Sequence, residues 1–223
     1  MNRKSLYAMV ALAPFLCAAT VIQGNLYGRF NDGTYVAPGK LFTVTSPFPE
    51  EPIVSDGREP KDYNAGAVSF IDQMGRLNGI LYMENDGYPV PAGQDAEAAK
   101  TLGSWLRDRG FASFFKRSLP GSKILRDEAG QIAGKPAWIA VAHLPKGSPL
   151  GYSTRDSYDV KRNDSWRGMA VVEHGRHIYL LHTELRIEKL AGPDWSFDAN
   201  AADWNAFVPE LEALYQRIKF LKP

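Results

Sequence analysis

The predicted fold is organised around a stretch of twenty residues, Trp166–Leu185, which reads WRGMAVVEHGRHIYLLHTEL. Two runs of strand-forming residues, Arg167–Glu173 and Arg176–Glu184, flank the dipeptide His174-Gly175. A two-residue turn requires φ > 0 at its central positions, which glycine adopts freely and histidine tolerates. The pattern therefore predicts a β-hairpin with its turn at these two residues.

The two faces of this predicted hairpin follow from pairing the strands outward from the turn. One face should hold Val171, Met169 and Arg167 beside Ile178, Leu180 and His182, and the other Val172, Ala170 and Gly168 beside His177, Tyr179 and Leu181. Both faces are apolar in mid-strand, which is typical of a strand pair in the middle of a sheet that is covered on both sides. We expect the rest of the chain to form those covers.

Shorter apolar runs that end in turn residues predict the other strands. They are Leu26–Phe30 and Thr34–Val36 around Asn31-Asp32-Gly33, then Lys40–Thr45, Ala67–Gln73, Leu77–Met83, Lys123–Glu128 and Lys135–His143. The polar stretch Ile53–Asn64 contains Gly57 and Pro60 and predicts an exposed loop.

Helical spacing of apolar residues appears twice. A first helix should begin near Gln94 or Asp95 and end or kink at Gly110, with a further turn to about Arg117. A C-terminal helix should carry an apolar stripe from Trp204 to Ile218. Pro209 lies within that stripe and predicts a kink or the first turn of the main helical segment.

The stretch Leu144–Ser165 is the longest one without a periodic apolar pattern, although it lies between two predicted core strands. Long loops in compact domains often carry function. Aromatic and arginine side chains, which are enriched at protein interfaces, recur in it and just after it. We therefore interpret it as an inserted recognition surface whose candidate binding residues are Tyr152, Arg155, Tyr158, Arg162 and Trp166.

The first 24 residues have the features of an export signal. Arg3 and Lys4 precede an uncharged apolar run, Leu6–Ile22, with small residues near Ala19 where cleavage could occur. The alternatives are lipidation of Cys17, although the preceding Leu16 is larger than lipoprotein signals prefer, and a retained membrane anchor. We expect residues 25–223 to form a single domain, exported and most simply periplasmic, that contacts the membrane only through the N-terminal segment.

Composition excludes several classes of function. Cys17 is the only cysteine of the 223 residues, so cleavage after Ala19 leaves no disulfide, zinc–thiolate site or cysteine nucleophile. Without Arg3 and Lys4, 24 basic residues face 25 acidic ones, a net charge of −1. Nucleic-acid-binding domains usually carry a basic surplus, so no nucleic-acid partner is expected.

The four histidines do not predict a metal site. His177 and His182 are separated by an odd number of residues and should point to opposite faces of their strand. Only His174 and His177 could approach one another, and zinc normally needs three or four ligands. We instead expect His174 to be a solvated turn residue and His182 to pair or stack with Arg167. No cofactor is implied.

Catalytic motifs are also missing. The run Lys146–Gly151 has neither the spacing nor the following helix of a serine-nucleophile elbow. Asp156, Asp159 and Asp164 are interleaved with basic residues in the predicted loop, which favours a solvated surface over a rigid acid–base pair. No catalytic residue is predicted.

Four segments together resemble the PsbP-like family. They are Lys40–Pro47 with Phe42, Val44 and Pro47 in an F-x-V-x-x-P pattern, the stretch Ile132–Ala137 (IAGKPA), the hairpin Gly168–Leu181, and the closing helix that runs into Ile218-Lys219-Phe220. The family includes extrinsic photosystem II subunits and exported bacterial proteins without a photosynthetic role.

The resemblance implies an α+β fold, an α/β/α sandwich with a central antiparallel sheet. The chain departs from the family by lacking a Gly-Trp pair after its first strand and by the insertion at about 144–165. No photosystem-binding residue can be transferred to it.

The function expected from the sequence is that of an exported accessory or binding protein without catalytic activity, which recognises a protein partner in the cell envelope. One alternative is a small-molecule-binding protein with a pocket between sheet and helix around Trp105. Another is a hydrolase whose site the sequence does not identify. The oligomeric state is left open.

Overall fold

The computed structural model describes residues 26–58, 65–73, 75–85, 88, 90–91, 95–148, 151–154, 157–187 and 202–221. The predicted leader, including Cys17, lies outside these ranges. The strands are β1 (Arg29–Asn31), β2 (Thr34–Val36), β3 (Phe42–Thr45), β4 (Ile53–Arg58), β5 (Ala65–Ile71), β6 (Leu77–Glu84), β7 (Lys123–Ile132), β8 (Lys135–Leu144), β9 (Gly151–Thr154), β10 (Ser157–Arg162), β11 (Ser165–His174), β12 (His177–Ile187) and β13 (Ile218–Phe220). The helices are α1 (Asp95–Trp105) and α2 (Ala202–Gln216).

The strands form three antiparallel sheets. The large sheet has seven strands in the order β4-β5-β6-β12-β11-β8-β7, and the small sheet has the order β1-β2-β3-β13. Strands β9 and β10 pair only with each other. The hairpin β11–β12 lies in the middle of the large sheet, as its two apolar faces predicted.

Two hydrophobic clusters cover the two faces of the large sheet. One joins the sheet to α1 and the helical turns that follow it, through residues such as Leu102, Trp105 and Phe115. The other joins the opposite face to α2 and the small sheet, through residues such as Phe42 and Phe207. This layering confirms the predicted α+β class with a central antiparallel sheet, and the small sheet shares the second cover with α2.

The register of the central hairpin differs from the predicted one. His174 pairs with His177, so the turn residues are Gly175 and Arg176 rather than His174 and Gly175. The shift moves every cross-strand partner by two positions, and Met169 lies opposite His182. A shift of two residues preserves the side-chain alternation, so the predicted faces are correct although the predicted pairs are not.

The predicted loop at Ile53–Asn64 is wrong over its first half, which forms the edge strand β4. One polar residue of this strand, Asp56, forms hydrogen bonds with the small sheet and the segment before it. The Asp56 carboxylate accepts hydrogen bonds from the backbone N–H groups of Tyr27 and Gly28, at 3.0 and 2.7 Å, and from the Tyr35 hydroxyl at 2.6 Å.

The helical layer begins as predicted at Asp95 and changes its winding after Trp105. Residues 106–110 and 112–116 are π-helical. A Cβ atom at Gly110 would lie 2.5 Å from the Trp105 ring, so only glycine fits there and the ring packs against its backbone. The stretch predicted to end or kink at Gly110 is therefore a wider continuation of the helix.

The C-terminal helix ends earlier than its apolar stripe predicted. Ile218 belongs to strand β13, where it pairs with Val44 and completes the small sheet. Pro209 lies inside α2. None of the helices in the described part of the chain is long and apolar enough to cross a membrane.

Candidate functional site

The predicted insertion is a 20-residue excursion from two adjacent strands of the large sheet. Leu144, the last residue of β8, pairs with Ser165, the first residue of β11. The chain between them leaves the sheet and returns as the hairpin β9–β10, in which Tyr152 lies opposite Lys161 and Gly151 opposite Arg162. The segment interpreted as an insertion therefore contains a two-stranded sheet of its own.

The neck of this excursion, which comprises residues 145–148 and 163–164, is held by hydrogen bonds from several sides. The Ser148 N–H donates to the Asn163 carbonyl oxygen at 3.1 Å. The Asp164 carboxylate accepts from the Lys146 N–H at 3.0 Å and lies 2.8 Å from His143 Nε2. The excursion therefore starts from a fixed base.

Trp166 is placed beside this neck. Its ring centroid lies 4.9 Å from that of His143, and its side chain is half-buried. The other four predicted binding residues are distributed as follows: Tyr152 lies on β9, Tyr158 and Arg162 lie on β10, and Arg155 lies outside the described residues. The structure does not describe the side chains of these four, so their joint role as a binding surface stays a prediction.

Beneath the neck lies a buried polar cluster, which we define as Ser148, Ser165, Arg167, His182 and Glu184. All five side chains are at most 4% exposed. Charged residues are almost never fully buried unless they are paired, so this concentration is exceptional for the interior of a small domain.

Arg167 connects the buried polar cluster to the neck. Its guanidinium donates to the Gly147 carbonyl oxygen at 2.7 Å and to Ser165 Oγ at 3.3 Å. Its Cζ lies 5.8 Å from the centroid of the Phe115 ring, which belongs to the π-helical layer above. An arginine from the middle of the sheet therefore fixes the backbone from which the excursion begins.

Glu184 lies directly opposite Arg167 in the strand register. Burial raises the pKa of its carboxyl to about 7, although the Arg167 charge and the hydroxyls of Ser165 and Ser148 lower it. These hydroxyls are near the carboxyl but not aligned with it: within the described residues, neither oxygen of Glu184 has a partner at hydrogen-bonding distance and angle.

His182 lies two cross-strand pairs further into the sheet than Glu184, on the same face. The edge of its ring contacts Phe115 at a centroid distance of 6.1 Å, and its Nε2 would lie 2.3 Å from a Cβ atom at Gly79. Burial, and then the Arg167 charge, lower the pKa of His182 well below its usual range. The imidazole is therefore neutral at physiological pH, and neither ring nitrogen has a hydrogen-bond partner among the described residues.

The predicted pairing of His182 with Arg167 is therefore wrong in its geometry. Arg167 lies across from Glu184, and His182 lies across from Met169. His174 is likewise not a simple solvated turn residue, because its ring stacks on Phe220 at 3.8 Å with an interplanar angle of 10°. Burial, and then the Lys135 charge, lower the pKa of His174.

Two charged residues in otherwise apolar strands are a sequence signal for the buried polar cluster. Arg167 and Glu184 are charged residues within strands whose mid-section is apolar on both faces. The predicted register placed Arg167 beside His182, so the opposition of Arg167 and Glu184 was not visible. The π-helical turns above the cluster have no sequence signature, although such turns often occur at functional sites.

A groove separate from the buried polar cluster lies at the β1–β2 turn and the segment that follows β3. It is a groove of about 480 Å³ lined by residues that include Phe30, Asp32, Phe48, Glu50 and Glu51. Phe48 itself is 8% exposed, so the groove offers mainly backbone and acidic side chains. Among the described residues there is no group of three or more His, Cys, Asp or Glu side chains that could hold a metal ion.

No protein-family model matches the chain, and no curated protein matches it. Solved structures are similar to it, and three of them have sequence identities of 10–11%. A crystal structure from Bacteroides thetaiotaomicron has 10% sequence identity and a TM-score of 0.39 over 85% of this chain, which spans about half (48%) of that structure.

The solution structure of PsbP from the cyanobacterium Synechocystis has 10% identity and a TM-score of 0.41, covering 89% of this chain and 98% of that one. The crystal structure of PA94 from Pseudomonas aeruginosa, a protein of unknown function, has 11% identity and a TM-score of 0.33, covering 90% and 99%. The presence of a cyanobacterial PsbP among these structures agrees with the resemblance seen in the sequence, and the likeness is a weak one that concerns the fold alone.

Proposed function

We propose that the protein is a non-catalytic accessory protein that binds a protein partner in the cell envelope through the hairpin β9–β10. The observation that carries the proposal is the excursion itself. It leaves the large sheet between paired strands, and within the described residues its two strands pair only with each other. A two-stranded sheet is marginally stable in water when it stands alone, and a bound partner would stabilise it.

The neck supports this proposal because it gives the hairpin a base that is fixed to the large sheet. Arg167, buried in the large sheet, binds the Gly147 carbonyl, and the Ser148–Asn163 hydrogen bond closes the two ends of the excursion. Binding loops that project from a rigid scaffold lose less conformational entropy when they bind.

The residue types on the hairpin fit an interface with a protein. Tyr152, Tyr158, Arg155 and Arg162 belong to the two residue types that most often carry binding energy at such interfaces, and Trp166 lies beside the neck. Arg167, His182 and Glu184 have the perturbed environments of catalytic groups, but Arg167 and His182 are at most 1% exposed and Glu184 is 4% exposed, so they support the scaffold rather than reach a substrate at the surface.

The test is capture of partners by in-cell crosslinking in the envelope with the hairpin intact and with it removed. A short Gly-Ser linker should replace residues 151–162 while Ser148 and Asn163 stay, so that the hydrogen bond that closes the neck is preserved. We expect a partner that crosslinks to the wild type and is lost with the linker.

Two further variants locate the surface. Tyr152, Tyr158 and Arg162 replaced together by alanine should lose the same partner, whereas Lys100→Ala with Lys116→Ala, two exposed positions of the helical layer, should keep it. A partner that is captured equally by the wild type and the linker variant contradicts the proposal, and so does a wild type that captures none.

We further propose that residues 1–24 direct export, with cleavage after Ala19. Mass spectrometry of the protein isolated from envelopes should give a chain that begins at Thr20. A lipid-modified N-terminus at Cys17, or a retained Met1, contradicts cleavage at that bond and identifies one of the two alternatives.

A further inference from the structure

Two members of the buried polar cluster, Glu184 and His182, can gain or lose a proton, and they lie at different distances from the neck. Glu184 lies across from Arg167, whose guanidinium binds the Gly147 carbonyl of the neck. His182 lies two pairs further in, under Phe115 and against Gly79. Separation of the neck from the sheet would therefore bring water to Glu184 first, while His182 would stay covered by the helical layer.

Charged and titratable groups occur on four neighbouring parts of the fold. Arg167 on β11 lies opposite Glu184 and acts on its carboxyl, His182 lies two residues away on β12, His143 lies near the end of β8, and Lys146 and Asp164 lie in the neck. Asp164 is already engaged by His143 and by the Lys146 N–H. The helical layer contributes the apolar ring of Phe115. The Arg167 charge is the largest influence that favours the ionised form of Glu184, ahead of the Ser165 and Ser148 hydroxyls, and its guanidinium is shared with the Gly147 carbonyl.

We propose that Glu184 is a proton-controlled latch for the neck: the protonated side chain keeps the neck closed on the sheet, and loss of the proton favours an open neck in which water reaches the carboxylate. This proposal rests on the proposed function, since it regulates the hairpin assigned there as the binding surface. The hairpin would be held in its fixed position in acidic surroundings and released toward neutral and alkaline pH.

The direction follows from the two environments of the carboxyl. In the closed neck the ionised form lacks both hydration and aligned donors, whereas in the open neck water supplies them. A group that holds its proton more tightly in the closed form shifts the equilibrium toward the open form as pH rises. With a pKa of about 7 when closed and the ordinary glutamate value of 4.5 when open, the opening constant should rise on the order of a hundredfold across that interval.

The experiment is hydrogen exchange of backbone amides followed by NMR, on the full protein without a partner, with each exchange rate divided by its intrinsic rate at that pH. The reporter is the Ser148 amide, whose hydrogen bond to Asn163 closes the neck. The internal reference is the Leu180 amide in the middle of the large sheet. We expect the protection of Ser148 to fall on the order of a hundredfold between pH 4.5 and about 7, while staying below that of Leu180, which exchanges only through global unfolding.

Variants separate the latch from other sources of pH dependence. Glu184→Gln should leave the protection of Ser148 independent of pH. Glu173→Gln should behave as the wild type, because Glu173 is a half-buried carboxyl with a raised pKa that lies on the neighbouring strand β11, at the turn end of the hairpin and away from the neck. The pH dependence of Ser148 protection in the wild type is measured without any variant, so a Glu184→Gln protein that fails to fold leaves the test intact.

Three outcomes would overturn the latch. They are constant protection of Ser148 in the wild type, protection that rises with pH as it would if His182 controlled the opening, and an unchanged fall in Glu184→Gln. None of them bears on partner capture. The linker variant can therefore fail to lose a partner while the latch is confirmed, and the latch can fail while the hairpin is confirmed as the binding surface.

Discussion

Glu184 and His182 lie two residues apart on one strand, and their burial affects stability in opposite directions of pH. The pKa of Glu184 is raised, so its contribution to the free energy of unfolding is fully present below 4.5 and is lost as pH rises toward 7. The pKa of His182 is lowered, so its contribution is present above 6.5 and is lost as pH falls. At pH values below the raised pKa of Glu184 and above the lowered pKa of His182, the folded protein keeps a proton on the carboxyl and none on the imidazole.

The first prediction concerns the pH dependence of global stability. Between pH 4.5 and about 7, the free energy of unfolding of the wild type should fall by about 3 kcal/mol relative to that of Glu184→Gln, because only the wild type buries a carboxyl that must ionise. Urea titrations of both proteins across this range measure the difference. Parallel curves would show that Glu184 ionises as easily in the folded chain as in the unfolded one.

The second prediction concerns Gly79, whose missing side chain makes room for His182. A Cβ atom there would lie 2.3 Å from the imidazole Nε2, and that ring is confined by Phe115. Gly79→Ala should therefore reduce the free energy of unfolding by about 1–3 kcal/mol. In a His182→Ala background the same change should cost much less, because the contact is gone. Equal costs in both backgrounds would mean that the strand itself, and not the ring, requires glycine.

At the scale of elements, α1 is fixed on the sheet by a close approach at one glycine. A Cβ atom at Gly103 would lie 2.5 Å from Cδ2 of the Trp138 ring. That ring cannot easily shift, because its Nε1–H donates to Asp127 at 2.8 Å and Arg107 lies over its face at 4.9 Å. The spacing of the helix from the sheet is therefore set by this contact.

The third prediction uses this contact against helix propensity. Alanine favours a helix over glycine by about 1 kcal/mol, yet Gly103→Ala should lower the free energy of unfolding, by about 1–2 kcal/mol, because α1 must move off Trp138. Ser104→Ala, the neighbouring exposed position, is the matched control and should be neutral or slightly stabilising. Thermal unfolding of the two variants gives the comparison. A stabilised Gly103→Ala would show that the helix adjusts without cost.

The sequence predicted best those elements whose pattern of apolar residues reflects burial alone. Burial on both faces of β11 and β12 leaves an unbroken apolar pattern, so the centre of the large sheet could be predicted. Strand β4 could not be predicted, because its polar residue Asp56 forms hydrogen bonds with residues 27, 28 and 35, which are distant in the sequence. The hairpin β9–β10 also lacks a periodic apolar pattern, since it is not part of the large sheet.

The candidate site was predictable in position and not in chemistry. Residues 144–165 stood out by length and composition, and the structure shows an excursion there. Its base depends on Arg167 reaching the Gly147 carbonyl and on the opposition of Arg167 and Glu184, which a shift of two residues in the register concealed. Tertiary contacts between polar residues leave little trace in a local pattern.

At the scale of the whole molecule, the small sheet must be fixed beside the large one, and a single carboxylate contributes much of the polar contact between them. Asp56 belongs to the large sheet, and its three donors belong to residues of the small sheet or the segment before it. Tyr35 is 0% exposed, and burial together with the Asp56 charge raises the pKa of its hydroxyl, so the phenol stays a donor at all relevant pH values.

The fourth prediction is that Asp56→Ala separates the two sheets energetically. It leaves the buried Tyr35 hydroxyl and two backbone N–H groups without their acceptor, and should lower the free energy of unfolding by about 3 kcal/mol. Tyr35→Phe should cost about 1 kcal/mol, and the double variant should cost less than the sum of the two because they remove one shared contact. Glu128→Ala, which breaks the exposed ion pair with Arg126, should cost less than about 1 kcal/mol and serves as the control for loss of a carboxylate.

Denaturant unfolding measured by two probes, near-ultraviolet circular dichroism and amide exchange of the small sheet, gives all four values. If Asp56→Ala instead unfolds the small sheet alone while the large sheet keeps its stability, the two sheets are separate cooperative units and this carboxylate is their coupling.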